Sequence, residues 1–122
     1  MKVFVSKKAL ERSKKDKFVR EHLSEYMKEI NMLIASQLKR PTERIGDFNI
    51  TPRGGRKERL AWHREGDDLY IDDFLYHESG EDYVDKWNIK ARIGKIKIKD
   101  YKSTGYESYE ALAERYELLK SA

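Results

Sequence analysis

Of the three histidines in this chain, two stand in a stretch where cations recur, which is where acid–base chemistry on a charged substrate is best supplied. Lys57, Arg59 and His63 fall on alternate positions, with Ala61 in the gap. On a strand they share one face, at steps of about 6 to 7 Å between neighbours. His77 closes the same stretch. Cutting an RNA phosphodiester without a metal needs such parts. One group takes the proton of the ribose 2′-hydroxyl, another protonates the leaving 5′-oxygen, and cations between them stabilise the extra charge of a pentacoordinate phosphate. Upstream, Pro52-Arg53-Gly54-Gly55-Arg56-Lys57 is a turn whose two glycines admit a phosphate close to backbone amides while Arg53, Arg56 and Lys57 neutralise it. Arg64 extends this basic surface. The same residues also suit an ordinary hairpin turn and a solvated sheet face, so residue types alone leave both readings standing.

Tyr83 and Trp87 follow His77 and offer either stacking surfaces for unpaired bases or plugs for a core. Asp72, Asp73, Glu78 and Asp82 lie near His77, but their spacing matches no metal-ligand pattern. Neither a metal nor a cofactor is expected.

A folded domain must hold these groups, and the composition allows one. The 122 residues are 39% hydrophobic and 39% charged, which suits a single domain spanning residues 1–122. There is no cysteine, so disulfides, thiol catalysis and the usual structural zinc sites are excluded. No apolar run reaches membrane-spanning length, and a cytoplasmic protein without a membrane partner is expected. The net charge of +4 hides a segregation: residues 39–64 hold eight basic and three acidic residues, and residues 65–85 hold nine acidic and no lysine or arginine. Such blocks suit an anion-binding surface beside an acidic patch that repels nucleic acid or docks a basic partner; they also suit pairing within the chain.

Periodicity supplies the elements. Lys2 to Ser6 is an opening strand, and Ser6 caps a first helical piece carrying Ala9 and Leu10. After the polar interruption Ser13-Lys14-Lys15-Asp16, an apolar stripe at three- and four-residue steps predicts a helix from Lys17 to Leu38, ended by Pro41. Lys39 to Gly46 reads as a basic connection. Turn signals at Gly54-Gly55 and Gly66-Asp67-Asp68 then divide Asn49 to His77 into an antiparallel meander of three strands. In the second, Leu60 and Trp62 alternate with the cations. In the third, neither phase keeps both Asp72 and Asp73 out of a core, and a bulge at this pair solves the conflict. Ile89 to Ile98 alternate with Lys95, Lys97 and other basic residues, which predicts a further strand or hairpin. Lys95, Lys97 and Lys99 would attract RNA diffusely. From Ser108 a closing helix buries Tyr109, Leu112, Ala113, Tyr116 and Leu119.

The order of these parts resembles the RelE/ParE superfamily of toxin components from bacterial toxin-antitoxin pairs. Val3-Phe-Val-Ser-Lys-Lys-Ala-Leu10 is similar to that family's opening strand and first helix. Arg59-Leu-Ala-Trp62, Leu69-Tyr-Ile71 and Leu75-Tyr-His77 are similar to its late strands. The resemblance implies an α+β fold whose antiparallel sheet is covered on one face by two N-terminal helices. Residues 2–83 would be the RelE-like core, and residues 84–122 a C-terminal strand and helix extension. It also implies an endoribonuclease that cuts messenger RNA at the ribosome without metal, held in check by an antitoxin protein. By position its catalytic residues are Lys57, Arg59, His77 and Tyr83, to which His63 is added from the alternation above. Glu78 departs from the arginine that the family often places after the late histidine. A gyrase-inhibiting branch of the superfamily, or a phage- or toxin-antitoxin-associated nucleic-acid-binding or inhibitory protein without catalysis, fits the same basic surface.

Overall fold

The computed structural model describes residues 1–53, 56–76 and 93–120. Strand β1 (Val3–Ser6) leads directly into helix α1 (Lys7–Lys15), and the Ser6 hydroxyl accepts the Ala9 N–H at 2.9 Å, as its capping position implies. The interruption expected at residues 13–16 shrinks to Asp16, whose N–H ends α1 on Arg12 O while its carboxylate caps α2 (Lys17–Glu21) through Val19 N–H. The long helix expected from Lys17 to Leu38 is two helices, α2 and α3 (Leu23–Ala35). At His22 the backbone leaves the helical region (φ −110°, ψ 18°), and the ring folds back to stack on Phe18 at 3.9 Å. Nor does α3 run to Pro41. Gln37 and Leu38 turn left-handed (φ +55° and +66°), and Leu38 N–H returns to Leu33 O at 2.8 Å, a closure that stops the helix first.

The meander follows. Strands β2 (Glu43–Ile45), β3 (Phe48–Thr51), β4 (Glu58–Glu65) and β5 (Asp68–Tyr76) pair antiparallel in succession, so part of the expected basic connection is itself a strand. Beyond residue 93 come α4 (Ile98–Lys102), β6 (Tyr106–Ser108) and α5 (Tyr109–Lys120). The strand or hairpin expected over residues 89–98 is corrected in its described part. Lys97 N–H donates to Asp100 Oδ2 at 2.7 Å, which starts a helix where the isoleucines alternate. Ile93, Ile96 and Ile98 nevertheless reach the sheet.

The six strands lie in the order β2-β3-β4-β5-β1-β6. This corrects the antiparallel sheet: it is mixed, because β1 runs parallel to β5 with Val3 opposite Leu69 and Val5 opposite Ile71, while β6 pairs antiparallel with β1 at the edge. Helices α1 to α3 and the meander separate β1 from β5 in sequence, so no hairpin forces the two into opposite directions.

Both faces are covered, which corrects the expectation of a single helical layer made by two N-terminal helices. On one face Val5, Leu60, Trp62, Leu69, Ile71 and Phe74 pack against α1, α2, α3 and Leu112 of α5. Each side chain so buried contributes roughly 1.5 to 3 kcal/mol. On the other, Phe48, Ile50, Ala61 and Leu75 pack against Ile93 and Tyr101 of α4. Among the described residues no helix is long and apolar enough to cross a membrane.

Candidate functional site

In the middle of the sheet, β5 carries one residue more than β4. Ala61 pairs with Asp73 and Trp62 with Ile71, which leaves Asp72 without a partner in the ladder. This is the bulge that the aspartate pair predicts. It keeps Leu69, Ile71 and Phe74 on the helical face and turns both aspartates to the face of α4 and β6. The carbonyl of Asp72 accepts the Ser6 hydroxyl at 2.6 Å, so the residue that caps α1 also ties β1 to the bulge.

Both carboxylates are buried, at 0% and 2% exposure for Asp72 and Asp73. A buried carboxylate needs donors of its own. Asp73 accepts Arg12 Nε–H at 2.7 Å, Phe74 N–H at 2.8 Å and the Tyr101 hydroxyl at 3.0 Å. Asp72 accepts the Tyr106 hydroxyl on one oxygen, and His63 Nδ1–H at 2.7 Å on the other. Burial pushes both carboxyls above the ordinary aspartate value, against the pull of His63 and Tyr106 on Asp72 and of Arg12 and Tyr101 on Asp73. Burial also raises the Tyr101 and Tyr106 hydroxyls, which therefore stay protonated as donors.

His63 is 4% exposed. Its Nδ1 is committed to Asp72, which leaves the lone pair on Nε2, and that nitrogen is buried without a hydrogen-bond partner. Glu65 Oε1 stands 3.6 Å from Nε2, beyond hydrogen-bond reach, and is itself ion-paired with Lys102 of α4. That contact lowers the Glu65 carboxyl and raises the Lys102 ammonium, so both stay charged. Tyr70 stacks on the imidazole at 5.0 Å. An imidazole held in one tautomer by a carboxylate is built to take a proton at Nε2, with the carboxylate stabilising the imidazolium that results.

The other sequence-predicted residues scatter. Lys57 precedes β4 and is exposed, whereas Arg59, on the same side of the strand, is only 8% exposed and donates to the carbonyls of Arg56 and Glu58. Burial, then the neighbouring Arg56, lowers the Arg59 guanidinium. The solvated cationic face is thus corrected: Arg59 and His63 are both buried, and Tyr106 of β6 lies beside His63. Arg56 is bound by Glu25 at 3.3 Å and by the buried Glu29 at 2.6 Å, and Glu29 also holds Arg40. Arg53 is exposed, as is Arg64, which folds onto Gly66 O at 2.7 Å. Lys95, Lys97 and Lys99 are exposed, the last on α4. Gly54, Gly55, His77 and Tyr83 lie outside the described residues, as do Glu78, Asp82 and Trp87.

Four members of the cluster carry no signal of their own in the sequence: Tyr106, Lys102, Glu65 and Tyr70. The paired aspartates were the one available sign that something polar is buried beside His63. Asp72 and Asp73 also turn to different partners, which disfavours their acting together as metal ligands. No family model, curated protein or solved structure matches this chain.

Proposed function

We propose that this chain is a metal-independent endoribonuclease of the toxin type, cutting messenger RNA with His63 as the base, and that an antitoxin protein is its partner. The observation that carries the reading is the Asp72–His63 pair, in which one nitrogen is fixed at 2.7 Å and the other is left free beside a lysine-bearing ion pair. The RelE-like order of opening strand, helices and meander supports it, as do the exposed cations Arg53, Lys57, Lys95, Lys97 and Lys99.

His63 Nε2 takes the proton of a ribose 2′-hydroxyl, the 2′-oxygen attacks phosphorus, and the bond to the 5′-oxygen breaks. Asp72 stabilises the imidazolium as it forms. For Nε2 to meet RNA, Glu65 and Lys102 part, and an exposed ion pair is a weak restraint. Lys102, released from Glu65, is then placed to offset charge on the phosphate. Protonation of the leaving oxygen falls in this reading to His77 or Tyr83, the late histidine and tyrosine that the resemblance implies as catalytic.

The test is cleavage by purified protein in chelator, on unpaired RNA alone and on RNA engaged with ribosomes. The expected products end in a 2′,3′-cyclic phosphate and a 5′-hydroxyl. His63→Ala should slow the chemical step on the order of a hundredfold or more while circular dichroism shows a folded protein. RNA binding without turnover in either setting would overturn the enzyme and leave a binding module.

A further inference from the structure

Phe4 and Tyr70 are large aromatics that belong to neither core. They lie on the same face as His63, in register across three strands: His63 of β4 is opposite Tyr70 of β5, and Tyr70 is opposite Phe4 of β1. The rings form one continuous stack. Tyr70 lies 5.0 Å from His63 at 12° between planes, and Phe4 lies 5.0 Å from Tyr70 at 21°. Tyr106 braces the row edge-on, 5.0 Å from Tyr70 at 81°. Both Phe4 and Tyr70 remain partly exposed. The next position in the row, opposite Phe4 on β6, is Ser108, which is small and exposed. Among the described residues Phe4 has a ring neighbour on one side alone, Tyr70. Lys2, two residues before Phe4 and hence on the same face of β1, is exposed beside it.

We infer that an unpaired base of single-stranded RNA stacks on the outer face of Phe4, above Ser108, and extends the row that ends at His63. This subsite rests on the proposed RNA-cutting function and names how that site selects its substrate. The occupant is specified by shape and charge. A flat ring is needed to continue parallel rings, and a phosphate suits the cation of Lys2. The stacked base lies three interstrand steps of ~4.8 Å from the histidine, so it belongs to a nucleotide near the cleaved bond and not to the cleaved one. Bases in a duplex cannot enter, and any unpaired base can, so the subsite selects strandedness and tolerates sequence.

The experiment measures equilibrium binding of a short fluorescent single-stranded oligonucleotide and of a duplex of equal length, for the wild type, Phe4→Leu and Tyr70→Phe. Phe4→Leu removes the ring and keeps the apolar volume; it should weaken single-strand binding roughly tenfold, within the range for loss of one stacked base, and leave duplex binding unchanged. Tyr70→Phe keeps the ring and should bind as the wild type does. In cleavage the loss in Phe4→Leu should fall on KM and not on kcat. Folded Phe4→Leu that binds the single strand as tightly as wild type overturns the subsite, as does a wild type that binds no single strand. The two readings fail separately. A wild type without turnover whose binding still depends on Phe4 keeps the subsite and removes the enzyme, whereas a cleaving wild type indifferent to Phe4 does the reverse.

Discussion

Replacing Asp73 by alanine tests whether the bulge is held by the donors that surround it. The carboxylate is 2% exposed and accepts from Arg12, Tyr101 and the Phe74 amide. In Asp73→Ala, Arg12 turns to solvent at small cost, since its side chain is already 33% exposed. The fully buried Tyr101 hydroxyl has no such escape, and the Phe74 N–H is left without its side-chain acceptor. At about 1 to 3 kcal/mol for each of the two stranded donors, the substitution should cost about 2 to 6 kcal/mol, a large part of a small domain's ~5 to 15 kcal/mol. Tyr101→Phe removes the stranded hydroxyl, so the double variant Asp73→Ala/Tyr101→Phe should cost less than the sum of the singles by about 1 to 2 kcal/mol. Urea unfolding followed by circular dichroism reads both numbers, provided the dependence on urea stays constant across the set. A destabilisation under ~1 kcal/mol in Asp73→Ala, or strict additivity with Tyr101→Phe, would refute the claim that satisfied burial of this carboxylate holds the strand in place.

Two further outcomes follow from the same geometry. Because burial holds Asp72 and Asp73 above the ordinary aspartate value of about 3.9, the folded chain binds more protons than the unfolded one just above that pH, so their contribution to stability falls as pH rises toward their folded values. Asp72→Asn should flatten that fall in urea midpoints taken from pH 4 to 7, and a steeper fall in the variant would contradict burial as the cause. The combined variant of Lys95, Lys97 and Lys99 to alanine should bind single-stranded RNA more weakly. Its slope of log affinity against log salt should be shallower by about 2, at ~0.7 for each lysine that neutralises a phosphate, and an unchanged slope would remove these lysines from the RNA surface.

What the sequence disclosed and what it hid have a common physical origin. Alternation reports which face of a strand a residue joins, and it placed Leu60 and Trp62 on the helical face and Arg59 and His63 on the other. It says nothing of what crosses that other face. The cover is Ile93, Ile96, Ile98 and Tyr101, from a segment whose isoleucines imitate a strand, together with Tyr106 from an edge strand of three residues. The capping contact that makes α4 a helix depends on one aspartate, Asp100, and apolar spacing does not register it. By alternation alone Arg59 looked like a solvated cation, yet it is buried. Its guanidinium is instead held by two backbone carbonyls.

The aspartate pair was legible for the opposite reason, because two adjacent charges in an alternating strand violate the pattern whichever phase is chosen. The bulge that resolves the violation also shapes the candidate site. In an unbulged β5, Asp73 would follow Leu69 and Ile71 onto the face of Tyr26, Ile30 and Leu60, and Phe74 would leave that core for the side of His63. One extra residue returns Phe74 to the helical core and brings Asp73 to Tyr101, on the side where Asp72 already meets His63 and Tyr106. The insertion also leaves the Asp72 carbonyl out of the ladder and open to Ser6. Unbroken packing on one face and two adjacent buried carboxylates on the other are thus consequences of a single inserted position. A chain with residue 72 deleted would keep the apolar phase of β5 on both sides of the gap, and His63 would lose the carboxylate that fixes its tautomer.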